Sequence, residues 1–184
     1  MSDPVQQAAR TAPVDVAPLP PQGMLALRAD LSRPWLAGAL EAAGLDLPER
    51  LRLTARGERI AIWMAPDELL LLLPADDLGA VRDGLAAALA GQHHLLADVS
   101  DARSLFAVRG ADAREVLARL TPADVSPGGF GPGSARRTRL GQVAALIWMP
   151  EEGEVRVACF RSVAGYVSGL LTGAAAPSAR IGLF

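Results

Sequence analysis

The sequence predicts an α+β fold made of two similar β-α-β-β-α halves, with antiparallel or mixed sheets and helices packed on one face. Three observations predict it. Residues 60–74 read IAIWMAPDELLLLLP and residues 146–160 read LIWMPEEGEVRVACF, so the order strand, Ile-Trp-Met, turn, acid, strand occurs twice. The apolar pattern also switches between alternation and helical spacing in the same order in each half. Finally, hydrophobic residues make up 51% of the 184 residues and aromatics only 4%, which implies a core packed mostly from Leu, Val and Ala. A chain of this length buries roughly 70% of its unfolded surface, enough for such a core.

Residues 1–23 carry five prolines among small residues without apolar periodicity and read as a flexible Pro-rich arm, mobile or draped. Residues 24–29 form the first expected strand. Ser32 is the expected N-cap of a helix whose Trp35, Leu36, Ala39 and Leu40 recur at helical spacing, with Gly44 ending it. Residues 51–56 alternate, Gly57-Glu58 turns, and 59–64 returns; a second turn at 65–68 leads into the apolar run 69–73. Asp76 or Asp77 then caps a helix with Leu78, Val81, Leu85 and Leu89 on one side, followed by a strand at 95–99.

The second pass begins with a strand at 104–109 and a helix at 113–120 whose Val116, Leu117 and Leu120 form its apolar side. A Pro/Gly loop, PADVSPGGFGPGS, precedes strands at 136–140, 143–149 and 154–160. Ser162 is the expected cap of a last helix through Val163, Tyr166, Val167 and Leu170, stopped by Gly173. Residues 24–100 and 101–173 are thus the two halves of one compact unit, and 174–184 a tail. Trp63 and Trp148 stand at equivalent points of the repeat. Neither half can bury its sheet alone, so the two are expected to stack into one core.

Composition excludes several classes of function. All 18 basic residues are arginine, the habit of a GC-rich genome, and the formal charge of -2 offers no general attraction to nucleic acid. The apolar run at 69–73, closed by Pro74, falls far short of the roughly 20 residues that cross a bilayer. No membrane association is expected, and the N-terminus lacks a secretory pattern. Cys159, the single cysteine, cannot form an internal disulfide, which fits a reducing cytoplasm.

No catalytic set assembles from the sequence. His93 and His94 are adjacent and point to opposite faces of an extended segment, with no further nitrogen or sulfur ligand nearby. Asp98, Ser100 and Asp101 read as a turn cluster that satisfies backbone N–H groups. Cys159 reads as a buried structural thiol. The loop at 126–134 matches no phosphate-binding pattern, and Pro127 and Pro132 remove donors from it. Arg136, Arg137 and Arg139 follow directly. As a strand, Arg137 and Arg139 share a face, either as a charged edge exposed to solvent or as a patch facing a partner or anion. Trp35, Trp63 and Trp148 sit at apolar periodic positions and read as core, while remaining candidates for docking.

Several motifs in order resemble the gamma subunit family of heterotetrameric sarcosine oxidase, within the aminomethyltransferase-like folate-binding superfamily. Trp63-Met64-Ala65-Pro66-Asp67-Glu68 is similar to the family's W-x-G-P-D-E-W-L, and Asp98-Val99-Ser100 is followed by Arg103. Residues 108–117 resemble L-x-G-P-x-A-R-x-V-L, 122–125 resemble C-P-L-D-L, 130–133 resemble F-P-P-G, and 161–166 resemble R-S-F-A-D-Y. Thr121, Ala65 and Leu69 depart from the family's cysteine, glycine and second tryptophan.

The resemblance implies an aminomethyltransferase folate-binding-domain-like fold. It implies a noncatalytic role beside alpha, beta and delta subunits in the oxidative demethylation of sarcosine to glycine, with tetrahydrofolate accepting the one-carbon unit. FAD, FMN, NAD and zinc would then lie on partner subunits, with no cofactor on this chain. A self-sufficient aminomethyltransferase would need a longer chain, and the K-G-C-Y-x-G-Q-E motif of the folate-dependent iron–sulfur maintenance proteins cannot occur in a sequence without lysine. A subunit of a related methylated-amine dehydrogenase, or a stand-alone folate-binding module, is the alternative.

Overall fold

The computed structural model describes residues 14–179 and 181–184. In chain order, β1 (Asp15–Pro18) and β2 (Gly23–Ala29) precede α1 (Pro34–Ala42), and β3 (Leu53–Arg56), β4 (Arg59–Ala65) and β5 (Glu68–Leu73) lead to α2 (Leu78–Ala88). The order then recurs as β6 (His94–Asp98), β7 (Arg103–Arg109), α3 (Ala113–Ala118), β8 (Ala135–Leu140), β9 (Val143–Glu151), β10 (Glu154–Phe160) and α4 (Ala164–Ala175). The α+β class holds, and the full order of each pass is β-β-α-β-β-β-α.

The strands form two five-stranded sheets, β3-β4-β5-β2-β6 and β1-β7-β10-β9-β8, in which every paired neighbour is antiparallel. Read backwards, the second order becomes β8-β9-β10-β7-β1, which places β1 where β6 stands in the first sheet. Each pass therefore lends its leading strand to the other sheet. The sheets also meet at β3 and β8, where Arg52 and Ser134 form an antiparallel bridge and the Ala135 N–H donates to the Leu51 carbonyl at 2.9 Å.

Three apolar layers follow from the alternation of strand side chains. Met24, Ile62, Leu70 and Leu72 of the first sheet pack on Leu105, Leu146, Trp148 and Ala158 of the second. On the outer faces, α1 and α2 cover the first sheet through Leu36, Leu40, Val81 and Leu85. Val116, Leu117, Val167 and Leu171 of α3 and α4 cover the second. All six residues of β5 are buried, because this strand is central and covered on both sides. Each of its leucines contributes about 1.5–3 kcal/mol by leaving water.

Several sequence expectations need correction. Residues 15–18 lie inside the expected flexible arm, yet they pair with β7 from Asp15↔Arg109 to Pro18↔Phe106. A short segment ending in proline suits an edge strand, whose outer side needs no donor. Residues 1–13 lie outside the described residues. Ser32 does not cap α1: Pro34 occupies the first helical turn and Arg33 the cap, while the Ser32 hydroxyl donates to Asp30 at 2.6 Å. Asp77 stands at the cap of α2, but its carboxylate accepts from Arg59 at 2.8 Å instead. Val163, not Ser162, precedes α4, which runs through Gly173 to Ala175. It stops there because Pro177 keeps Ala176 extended, with ψ 137°. Gly44 does end α1, with φ 69° and the Leu45 N–H donating to the Leu40 carbonyl at 2.9 Å.

The tryptophans are not equivalent, although their hairpins are. Glu68 and Glu154 open the two return strands, with Trp63 lying five positions before the first and Trp148 six before the second. A shift of one residue reverses the facing side. Trp148 is fully buried between the sheets, opposite Arg156. Trp63 lies opposite Leu69, on the side facing the helices, and stays half-buried.

Candidate partner-facing arginine site

Strand β8 separates the three arginines by alternation. Ala135, Arg137 and Arg139 lie on the side that faces the first sheet, where Ala135 is buried and both arginines are exposed. Arg136 and Thr138 lie on the other side. Arg136 donates to the carbonyls of Leu51, Ala135 and Gly129 at 3.1, 2.8 and 2.7 Å, and its guanidinium carbon sits 5.6 Å from the Phe130 ring. It is half-buried and committed within the chain, so it does not share the surface of Arg137 and Arg139.

Arg136 and Arg114 instead hold the Pro/Gly loop. The Arg114 side chain is 8% exposed, donates to the carbonyls of Val125 and Phe130, and pairs with Glu152 at 2.8 Å. Loop carbonyls that accept from these two guanidinium groups satisfy buried arginine donors, and the fully buried Phe130 ring anchors the loop's middle. The loop acts as a packed strap.

Glu68 is the centre of the cluster that alternation alone did not single out. Its residue is 8% exposed, and its Oε2 accepts from Arg28 at 2.8 Å and from Arg137 at 3.4 Å. Arg28 comes from β2, next to β5 in the same sheet, whereas Arg137 reaches across from the second sheet. One carboxylate thus ties the two sheets together at their open end. Both guanidinium groups are about half exposed, so the pairs contribute little stability despite their geometry.

Arg103 begins β7 beside this cluster. Its Nε is buried without a hydrogen-bond partner, and its guanidinium carbon lies 5.2 Å from the ring of Phe160, directly across the strand pair. Burial lowers its pKa, with Glu68 acting in the opposite direction and Arg137 adding to the lowering. The sequence held a signal for it: Arg103 shares its parity with Leu105 and Ala107, so an arginine stands in a row that otherwise faces inward. Phe160 is 50% exposed.

The remaining candidates scatter. His93 and His94 line an open concavity of about 590 Å³ with Arg28, Asp30 and Asp67, and a His94 ring nitrogen lies 2.9 Å from the Gln92 carbonyl. Among the described residues no cluster of His, Cys, Asp and Glu is arranged to hold a metal ion. Ser100 accepts the Met24 N–H at 2.9 Å and donates to Asp98 at 2.6 Å, which with the Ser100 N–H holds the Asp98 carboxyl below its usual range. The cluster closes a turn. Cys159 is buried, and burial raises its thiol pKa despite Arg103, which leaves a poor nucleophile. No helix among the described residues is long and apolar enough to cross a membrane.

The chain is similar to known proteins over most of its length. The family model of the sarcosine oxidase gamma subunit family matches residues 28–177. A sarcosine oxidase subunit gamma from Arthrobacter sp. is 32% identical over 118 residues, 63% of this chain and 57% of that protein. One from Corynebacterium sp. (strain U-96) is 32% identical over 135 residues, 72% of this chain and 65% of that protein. The alignments thus span less than two thirds of these relatives.

Among solved structures, a chain of heterotetrameric sarcosine oxidase from Corynebacterium sp. U-96, in complex with pyrrole 2-carboxylate, superposes with TM-score 0.83 at 26% identity, over 93% of this chain and 88% of that one. The glycine cleavage system aminomethyltransferase T from Bartonella henselae shares the fold, with TM-score 0.65 at 17% identity, over 88% of this chain and 46% of that one. With both hairpins, the packed loop and the Glu68 cluster inside the matched residues, the chain belongs to the sarcosine oxidase gamma subunit family.

Proposed function

We propose that this chain is a noncatalytic, structural subunit of a heterotetrameric sarcosine oxidase, whose partners convert sarcosine to glycine and pass the one-carbon unit to tetrahydrofolate. The observation that carries this reading is the superposition over 93% of this chain and 88% of a chain from such an oxidase. FAD, FMN, NAD and zinc are then held by the alpha, beta and delta subunits, and the complex works in the cytoplasm. Arg137 and Arg139, exposed on β8, face a partner in that assembly.

Physical chemistry supports the division of labour. The ionisable groups near the sheet ends, Glu68, Glu154 and Arg114, are engaged by partners within the chain. A group so committed fixes structure and is poorly placed to transfer protons. The experiment is co-expression of the tagged full-length chain with the other oxidase subunits. Recovery of one complex that contains flavin and oxidises sarcosine is the expected result, with the chain purified alone inactive. Sarcosine oxidation by the isolated chain would overturn the structural role, and persistent failure to recover flavin-binding partners would overturn the assembly.

A further inference from the structure

One end of the second sheet carries a registered row of side chains. Arg139 on β8 lies across from Ala144 on β9, and Phe160 on β10 lies across from Arg103 on β7. The pairing of Ala145 with Cys159 brings Ala144 beside Phe160 and completes the row. All four share the side that, one row further in, is covered by the first sheet through Leu105, Leu146 and Ala158. At this row the cover ends, leaving Phe160, Ala144 and Arg139 exposed and Arg137 directly behind them.

Charge and size together describe what would fit. Arg103 and Arg137 both line a cleft of about 30 Å³ closed by Met64, Leu146 and Phe160. A cleft of that size admits the tip of a side chain. Glu68, the carboxylate whose charge acts on Arg103, is already shared by Arg28 and Arg137, so positive charge is in excess around the cleft. A buried guanidinium nitrogen without an acceptor carries a desolvation cost that an incoming carboxylate would relieve. Beside it, a half-exposed phenyl ring supplies an apolar shelf next to a fork of donors.

We propose that the row Arg103, Phe160, Ala144 and Arg139, with Arg137 behind it, is a docking surface for an acidic side chain of a neighbouring subunit. The carboxylate bonds Arg103 and Arg137, and its methylene stem lies on Phe160. This inference rests on the subunit reading above and adds to it the chemistry of the contact.

The test measures the dissociation constant of the tagged full-length chain for its co-expressed partner subunits at low and high salt. Arg137 is exposed, so Arg137→Glu is expected to fold normally and to weaken assembly about tenfold or more, the effect of losing one charge-assisted bond. Arg103→Gln should act similarly and flatten the salt dependence, and Phe160→Ala should weaken assembly without changing that dependence. Arg56→Gln, on the exposed Asp46 pair of β3, should leave assembly unchanged. If the unaltered chain forms a complex and both Arg137→Glu and Arg103→Gln bind as tightly, the docking surface is wrong while the subunit reading stands. If the unaltered chain forms none, both fail. Saturable binding of acetate or benzoate by the isolated chain, lost in Arg103→Gln without any effect on assembly, would also overturn the proposal.

Discussion

Glu68 and Glu154 hold the same place in the two halves: each opens the return strand of a hairpin and accepts a guanidinium from the adjacent strand, Arg28 at 2.8 Å and Arg109 at 2.7 Å. They differ in their second partner. Glu68 takes Arg137 from the other sheet, whereas Glu154 takes Arg156 from its own strand at 2.6 Å. The repeated pair is thus a local clamp in one half and a link between sheets in the other.

Glu154→Gln should therefore lower stability, by about 1.5–3 kcal/mol for charge-assisted bonds weakened in a poorly solvated position. Its pH dependence has a definite sign. Burial is the largest single influence and pushes the Glu154 carboxyl up, but Arg156 and Arg109 together outweigh it and hold the group below its ordinary 4.5. A depressed folded-state pKa contributes stability that is present above the unfolded value and lost as pH falls through the folded one. Urea unfolding between neutral and acid pH should show a loss below about pH 4.5 that is smaller in Glu154→Gln. Equal acid sensitivity in both proteins would remove Glu154 from the account.

Glu115 makes a second, separable acid-sensitive contact. It is 3% exposed on α3, and its two carboxylate oxygens accept the N–H groups of Ile181 at 2.7 Å and Leu183 at 3.0 Å. Those bonds, led by the one from Ile181, hold its pKa low against burial. Glu115→Gln keeps the shape and removes the charge, so the tail should loosen while the sheets remain. Amide exchange at Ile181 and Leu183 should accelerate about tenfold, the effect of weakening a bond to a charged acceptor by roughly 1.4 kcal/mol. Unchanged exchange at both amides would show that the carboxylate does not hold the tail.

Alternation and helical spacing in the sequence encode most of the architecture. A helix such as 78–88 buries one side, and that side is written in the spacing of apolar residues. Alternation placed Arg137 and Arg139 together. It could not show that Arg136 is tied to Leu51 and Gly129, because those carbonyls arrive from a loop and from the other half. Nor could it place β1, whose partner β7 lies some 90 residues away in the chain and whose four residues carry no period of their own. The tryptophans misled for a related reason: a single extra residue in one hairpin reverses the side, and local similarity is blind to parity.

Trp148 and Trp63 should separate sharply in experiment. Trp148 is fully buried between the sheets, so Trp148→Ala should cost about 3–5 kcal/mol. Its Nε1 has no hydrogen-bond partner, so Trp148→Phe forfeits only packing and should cost less than the alanine variant. Trp63 is half-buried, and Trp63→Ala should cost less than Trp148→Ala by at least about 1 kcal/mol. Chemical denaturation measures all three. Equal costs at the two sites would contradict the opposed facing of the hairpins.

The exchange of leading strands leaves an edge of each sheet dependent on a strand from the other half. β1 covers the edge of β7, with Val16 packed against the core under α3 and α4, while β6 covers the matching edge of β2. Deleting residues through Pro18 leaves Phe106 and Val108 on an open edge, and an exposed apolar edge invites pairing with another chain. The truncated chain should melt at lower temperature and self-associate, measured by light scattering. Adding a synthetic peptide of residues 14–18 should partly restore the monomer, because the pairing of Asp15–Pro18 with β7 needs no covalent link. A truncated chain as stable and as monomeric as the whole would mean that the borrowed strand is dispensable and that the second sheet closes by itself.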